Sequence, residues 1–353
     1  MEWMVAMEKL KIGVIGMGGI ANYHIWGIEN SPDAELYAIC DVSARALAER
    51  GEALGIPEER RYLSHRELLA NAEVDAVMIG TPNMNHFAVA LDAIRAGKPF
   101  ALEKPIALNT REALILRDEL AANPVAHIVC FTYRYKSAVR YARELIRSGK
   151  LGAIRHVYSQ YLQGWAIPEE VPLYWRFSKE LSGSGALGDL GSHILDLHRF
   201  LVGETISVVG HGDTIVRERD KLDGSGKGEV DVDDFCHVLG RMENGISSSM
   251  EISRFAYGRG NYQRIEIYGT KGALVYHLEA EDALEGNFDD EEGGFRTLDI
   301  AETYKAEQMQ SFFDLVRGKD DGLNATIEDG YVNQRTIDAI IESFAEGRWI
   351  SAE

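Results

Sequence analysis

Hydrophobic and polar positions change their rhythm near residue 131. Before it, short apolar runs alternate with segments of helical spacing. "KIGVIG" reads as a strand ending in glycine, "IANYHIWGIENS" as a helix and "LYAICD" as a second strand. "ARALAERGEALG" reads as a helix closed by Gly55 and Pro57. "DAVMIGTP" predicts a third strand stopped at Thr81-Pro82, and "HFAVALDAIRAG" a helix capped by Gly97. "PFALEKP" predicts a fourth strand, "TREALILRDELAAN" a helix and "AHIVCFTYR" a fifth strand. Strands alternating with helices imply parallel pairing through right-handed crossovers.

Past residue 131 the alternation stops. "SAVRYARELIRSG" predicts a helix ending at Gly149, and "RHVYSQYLQ" a strand. A glycine-rich stretch, "SGSGALGDLGSHILDL", then runs into a helix. Strand-like runs follow: "ISVVGHG", "DFCHVLGRM", "GISSSMEISRF", "RIEIYG" and "ALVYHLE". Glu243-Asn244-Gly245 and Thr270-Lys271-Gly272 are turn candidates between them. This pattern predicts a mainly antiparallel sheet with helices on one face. "RDKLDGSGKGEVDVDD" reads as a polar, mobile surface loop, and two helices close the chain. The expected class is α/β, with a doubly wound parallel sheet over 9–130 and a second α/β domain over 131–353. The last helix is allowed to pack back on the first domain.

"GVIGMGGIA" is where chemistry enters. Gly16, Gly18 and Ala21 form a G-x-G-x-x-A loop, with Gly19 and Ile20 between them. The first glycine permits the tight turn, the second lets backbone approach a pyrophosphate, and the alanine lets helix pack on strand. The helix start offers N–H groups and a partial positive charge to phosphate. Asp41, twenty residues past Ala21 at the end of the second strand, is placed to bind adenosine ribose hydroxyls. A carboxylate there favours NAD, while Ser43 and Arg45 leave NADP open.

Charge narrows the partners. With 37 basic against 56 acidic residues the net charge is -19, which makes nucleic acid and anionic membrane poor partners. The leader "MEWMVAMEKL" lacks the basic start and long apolar run of a signal peptide, and no stretch approaches a membrane span. Cys40, Cys130 and Cys236 are far apart, each in an apolar stretch, as in a reducing compartment. The expectation is a cytoplasmic protein.

Two further groups could react. Lys104, within Glu103-Lys104-Pro105, follows a parallel strand and faces the crevice where such sheets bind ligands. It can hold a substrate hydroxyl or stabilise alkoxide charge, or it is a surface lysine. Glu103 can pair with that ammonium or contact a cofactor ribose. Asp189, His193 and Asp196 have i, i+4, i+7 spacing and share one helical face. Three readings stay open for them: a helix-surface ion pair, a metal site, or a histidine base oriented by a carboxylate. Metal sites usually recruit more imidazole or thiolate, so no metal is expected.

Three marks in order, "GVIGMGGIA", "TPNMNHFAVALDAIRAGKPFALEKPIAL" and "SGSGALGDLGSHILDL", give the chain its resemblance to the Gfo/Idh/MocA oxidoreductases. The resemblance spans nearly the whole chain. It implies a Rossmann domain, then a substrate-binding and oligomerisation domain on a large, mostly antiparallel open sheet that makes dimer or tetramer contacts in many members. It assigns Lys104, Asp189 and His193 to catalysis, with His193 as proton acceptor and Lys104 by the nicotinamide. Thr81, Pro82, Asn83 and His86 fall in the cofactor-lining segment, and Asp196 supports the site. Aromatic and hydrogen-bonding residues between the marks, Tyr133, Tyr161, Gln163, Trp165, Trp175 and Arg176, suit a sugar. "YLQGW" and "YWRF" look like members acting on anhydrosugars such as levoglucosan, or on inositols.

The expectation is therefore an NAD-dependent dehydrogenase that oxidises a secondary hydroxyl of a sugar, anhydrosugar or cyclic polyol held between Lys104 and His193. Two rivals remain at this level. One is a redox-neutral lyase or glycosidase that keeps NAD bound, and the other a nucleotide-binding sensor without catalysis.

Overall fold

The computed structural model describes residues 8–279, 282–290 and 292–353; most of the leader lies outside them. Contacts divide the chain into two compact units. The first runs to Ala107 and adds Arg111–Cys130 and Ala306–Gly330; the second comprises Leu108–Thr110, Phe131–Lys305 and Tyr331–Glu353.

The first unit holds six parallel strands: β1 (Leu10–Ile15), β2 (Ala34–Cys40), β3 (Arg61–Tyr62), β4 (Ala76–Ile79), β5 (Phe100–Leu102) and β6 (His127–Val129). Their order is β3-β2-β1-β4-β5-β6, so the order reverses between β1 and β4. In an open parallel sheet the ligand crevice lies outside the strand ends at such a reversal. Five helices connect the strands: α1 (Ala21–Glu29), α2 (Ala44–Ala53), α3 (His65–Ala70), α4 (Asn83–Arg95) and α5 (Thr110–Ala122). All four residues of β4 are buried, as a strand covered on both faces requires. The sequence reading has five strands here. The sixth, β3, is a two-residue edge, too short for any periodicity to mark. The fifth predicted strand stops at Val129, and Thr132–Tyr135 close into a 3₁₀ turn.

The second unit carries α6 (Ser137–Arg147), β7 (Ile154–Leu162), α7 (Lys179–Ser182) and α8 (Ser192–Leu201). Then come β8 (Thr205–Asp213), a hairpin of β9 (Glu218–Asp220) and β10 (Lys227–Glu229), β11 (Phe235–Met242) and β12 (Ser247–Ser253). The strands β13 (Tyr262–Gly269), β14 (Gly272–Leu278), β15 (Asp282–Phe288) and β16 (Arg296–Thr297) follow. The chain ends with α9 (Gln308–Val316), α10 (Ile327–Glu346) and β17 (Ile350–Ser351). Nine strands form one sheet, β16-β15-β14-β13-β7-β12-β11-β8-β17. Every pair is antiparallel except β12 with β7. The β11–β12 hairpin turns at Asn244 and Gly245, both at positive φ (58° and 72°), the conformation asparagine and glycine tolerate. Along β11 buried and exposed residues alternate. One face of the sheet is thus covered, and Tyr158, His237, Leu239 and Arg241 stand exposed on the other.

Two findings depart from the sequence reading. α9 belongs with the first unit: Phe312 and Phe313 join the core of Ile12, Val14, Ile28, Ile39 and Met78. A Cβ on Gly27 of α1 would lie 2.4 Å from Met309, so the glycine permits that packing. The polar stretch 219–234 is not a mobile loop throughout. Residues 220–227, Glu229 and Asp231 are exposed, but Arg219 and Asp234 are 1% and 0% exposed within and beside a hairpin. Among the described residues no helix is long and apolar enough to cross a membrane.

Candidate active site

At the glycine loop the three small residues differ in what demands them. Gly16 has φ 94°, and a Cβ on it would fall 2.6 Å from the Gly80 carbonyl oxygen. Gly18 and Gly19 would each point a Cβ into open space. Protein packing thus demands Gly16 but not Gly18, as expected where a ligand rather than the chain must come close. Ala21 is fully buried and starts α1. Asp41 accepts from the Met17 amide at 2.8 Å and the Ser43 amide at 2.9 Å, so it shapes the loop as well as standing at the ribose position. Ile20 is 40% exposed. Pro82 caps α4 and Asn83 opens it, buried. This set fits a dinucleotide: free approach at Gly18, a helix start, and an acid ending β2.

His86 has a different task. Its ring is buried, with Nδ1 2.6 Å from the Pro105 carbonyl and Nε2 2.8 Å from the Thr81 carbonyl. Burial draws its pKa below the usual value despite those carbonyls. It ties the turn after β4 to the turn after β5, with both ring nitrogens facing protein carbonyls.

Glu103 is 8% exposed, and its Oε1 lies 3.0 Å from Nε2 of the fully buried His24. Burial alone would raise its pKa; the His24 hydrogen bond and the nearby His24 and Lys104 charges outweigh that and hold it below the usual carboxylate range. Burial, and then the Glu103 charge, push the Cys130 thiol well up. Donor atoms of His24, Glu103 and Cys130 all lie within 4.8 Å of one another, a spacing a metal could use. The His24–Glu103 hydrogen bond and the Cys130 contact to Glu103 tie the trio together. Lys104 is half-buried beside it.

In the second unit the helix trio spans two kinds of helical turn. Leu187–Gly191 form a π-turn, and α8 starts only at Ser192. Such turns often mark functional positions, and the Asp189 charge reaches Tyr133 and Tyr161, the two tyrosines beside His193. A Cβ on Gly185 would lie 1.8 Å from the Asp233 carbonyl oxygen, and the Asp233 carboxylate accepts from the Gly185 and Leu187 amides, each at 2.7 Å. The glycine run therefore lets Asp233 cap the turn. Asp189 pairs with Arg176 Nη1 at 2.7 Å. Asp196 is committed elsewhere: Arg134 Nε and Nη2 donate to its two oxygens at 2.8 and 2.6 Å, and both side chains are almost fully buried.

His193, 8% exposed, lies among aromatic rings. Its centroid is 4.7 Å from Tyr133 and 6.2 Å from both Tyr161 and Phe131. The Tyr133 and Tyr161 hydroxyls are 2.7 Å apart. Tyr161 donates to Asn261 Oδ1 at 2.7 Å, and Gln163 Nε2 to the same oxygen at 3.0 Å. Burial, reinforced by the Asp189 charge, raises the Tyr133 pKa against its hydrogen bonds, and burial raises Tyr161 as well. Both phenols stay protonated donors at neutral pH. The imidazole thus packs on the two tyrosines of this hydroxyl and amide network, with the Asp189–Arg176 pair nearby in sequence. Trp175 packs edge-on against Tyr174, and the Arg176 guanidinium stands 4.4 Å from its ring. Sequence reasoning missed Asn261, which follows Gly258 and Gly260 and reads as a turn residue; nothing local signals its task.

The first sheet, with its reversal and glycine loop, defines a Rossmann-type dinucleotide-binding protein with a second, antiparallel-sheet unit. Residues 10–131 match the oxidoreductase family with an NAD-binding Rossmann fold, and residues 139–275 the Gfo/Idh/MocA C-terminal domain. Levoglucosan dehydrogenase from Pseudarthrobacter phenanthrenivorans is 31% identical over 98% of both chains. Myo-inositol 2-dehydrogenase from Thermotoga maritima is 31% identical over 75% of this chain and 74% of its own. A levoglucosan dehydrogenase solved in complex with NADH superposes with a TM-score of 0.91, at 31% identity over 98% of this chain and all of that one. The chain belongs to the Gfo/Idh/MocA oxidoreductase family.

Proposed function

We propose that this protein is an NAD-dependent dehydrogenase that oxidises a secondary hydroxyl of a sugar, anhydrosugar or cyclic polyol. One observation carries the reading: the buried His193 ring packs against the rings of Tyr133 and Tyr161, whose hydroxyls join Gln163 and Asn261 in a network of neutral hydroxyl and amide groups. An imidazole accepts a proton near neutral pH, and several rigid donors and acceptors suit a ring bearing many hydroxyls.

His193 takes the proton of the reacting hydroxyl, and the Lys104 ammonium stabilises the negative charge left on oxygen. Asp189, its charge shared with Arg176 at 2.7 Å, orients a neighbouring hydroxyl of the substrate. The cofactor, when bound, receives the hydride. Gly16, Gly18, Gly19, Ile20, Ala21 and Asp41 hold its adenosine and pyrophosphate end; Thr81, Pro82, Asn83 and Glu103 line the remainder, and His86 braces that lining. Likeness to a levoglucosan dehydrogenase over 98% of both chains supports an anhydropyranose as the first compound to try, with inositols second. The exposed face of the nine-stranded sheet supports a homo-oligomer. Three buried free thiols support a reducing, cytoplasmic setting.

The test is an initial-rate panel with purified protein, levoglucosan, inositols and simple pyranoses, with NAD and NADP in parallel. Reduced-cofactor absorbance should rise with at least one ring polyol and faster with NAD. A folded, NAD-binding protein that reduces neither cofactor with any of them refutes the reading.

A further inference from the structure

Between Gln163, which joins the tyrosine–asparagine cluster, and Arg176, which pairs with Asp189, the chain runs through a segment with no regular structure until a short turn at Trp175–Phe177. Something must hold twelve irregular residues in place if both ends are to serve one substrate. The holder is the hairpin that the sequence presents as a polar loop.

Arg219 projects from β9 and is 1% exposed. Its Nη1 donates to the Pro168 and Val171 carbonyls at 3.1 and 3.0 Å, and Nη2 to the Ala166 carbonyl. One guanidinium thus gathers three backbone carbonyls of the irregular segment. The same group stands 4.6 Å from the Phe177 ring centroid, and the Arg254 guanidinium 4.7 Å from that ring. Arg254 is held by Asp234, whose other oxygen accepts from the Ile215 and Val216 amides. The hairpin adds a backbone seam: the Leu173 amide donates to the Asp220 carbonyl at 2.7 Å, and Leu173 pairs with Lys221. Phe177, Val230 and Val232 form an apolar cluster under Trp165, Val171, Leu173 and Tyr174.

A buried guanidinium is costly unless its donors are satisfied. Here the flat, forked geometry of arginine meets carbonyls fixed in the segment, and an aromatic face covers the cation. Lysine has the charge but carries all its donors on one nitrogen, so it cannot reproduce a fork whose two nitrogens reach three carbonyls. The arrangement fixes where the segment lies, not merely that the hairpin is folded.

We propose that Arg219 is a positioning residue for substrate recognition, pinning residues 166–171 to the β9–β10 hairpin so that Trp175 and Arg176 stand correctly beside Asp189. This rests on the sugar-dehydrogenase reading above. It makes the hairpin, remote in sequence from every catalytic candidate, a determinant of sugar affinity.

The test compares Arg219→Lys, Leu173→Ala and Arg176→Ala with the unaltered protein, at saturating NAD, using whichever ring polyol the panel identifies. Arg219→Lys should raise the sugar KM about tenfold while kcat stays within about twofold and NAD affinity is unchanged, as expected for lost ground-state positioning. Leu173→Ala, partly exposed on the same seam, should raise the same KM about threefold and covers the case in which Arg219→Lys does not fold. Melting points measured alongside separate a merely structural role: a lower Tm with the sugar KM within about twofold in both variants overturns the proposal. Arg176→Ala is the control on the reading beneath it. If that variant leaves the sugar KM unchanged, the assignment of the sugar site fails and takes the proposal with it. If it raises KM while neither Arg219→Lys nor Leu173→Ala does, the positioning role alone fails.

Discussion

On the proposed reading the two units would recognise their ligands by different means. In the first, most of the binding groups are backbone in short consecutive stretches, Gly16 to Ala21 and Thr81 to Asn83, joined by the side chains of Asp41, Glu103 and Lys104. In the second they are side chains drawn from Tyr133, Tyr161, Gln163, Arg176, Asp189, His193 and Asn261. The difference follows from the ligands. A pyrophosphate is a fixed, highly charged shape that a turn and a helix start can cradle. A sugar ring presents many weak, similar groups that must be met one by one.

The sharpest way to break this comparison is at the imidazole. His193→Ala should lower kcat/KM for the sugar by a factor on the order of 10²–10⁴, the range for losing a general base, with NAD affinity unchanged by fluorescence titration. Turnover within about tenfold of the unaltered protein would move the base elsewhere in the second unit.

A smaller effect separates the units by stability. His198 in α8 is fully buried, and its Nε2 lies 2.9 Å from Ser159 Oγ, which donates to the Ser249 carbonyl. Nε2 is therefore the protonated nitrogen, and Nδ1 has no hydrogen-bond acceptor among the described residues. Burial lowers the pKa from 6.5 to about 4. The folded state thus binds fewer protons than the unfolded one between these values. This contribution is fully present above pH 6.5 and is lost as pH falls toward 4, by about 3 kcal/mol in all. Thermal melts from pH 7 to 4 should show that acid limb, and His198→Gln should flatten it. An unaltered limb in the variant would assign acid sensitivity to groups such as Glu103, whose depressed pKa acts in the same direction.

The smallest effect tests whether backbone approach is what the first unit sells to its ligand. Gly18→Val should leave Tm nearly unchanged, because a Cβ there meets nothing within 4 Å, yet raise the NAD Kd about tenfold, or 1.4 kcal/mol. Gly16→Ala should instead lower Tm, since its positive φ and the Gly80 carbonyl oppose any side chain. Equal Tm losses in both would mean that Gly18 is structural too.

These contrasts explain what could be read from residues alone. Alternating apolar runs and helical spacing were enough for the parallel sheet, because its buried strands are continuous and its crossovers local. The glycine loop was legible because a backbone site must be written in neighbouring residues. The broad antiparallel pattern of the second unit was legible for the same reason, through alternation and turn glycines. Spacing could not show the π-turn that carries Asp189, nor the bidentate grip of Arg134 on Asp196. It could not show that a run as polar as residues 219–234 hides a buried arginine. Those outcomes depend on which partner arrives from sixty or a hundred residues away. Hydrogen bonds and ion pairs of that kind are settled by packing geometry, and local sequence carries no record of it.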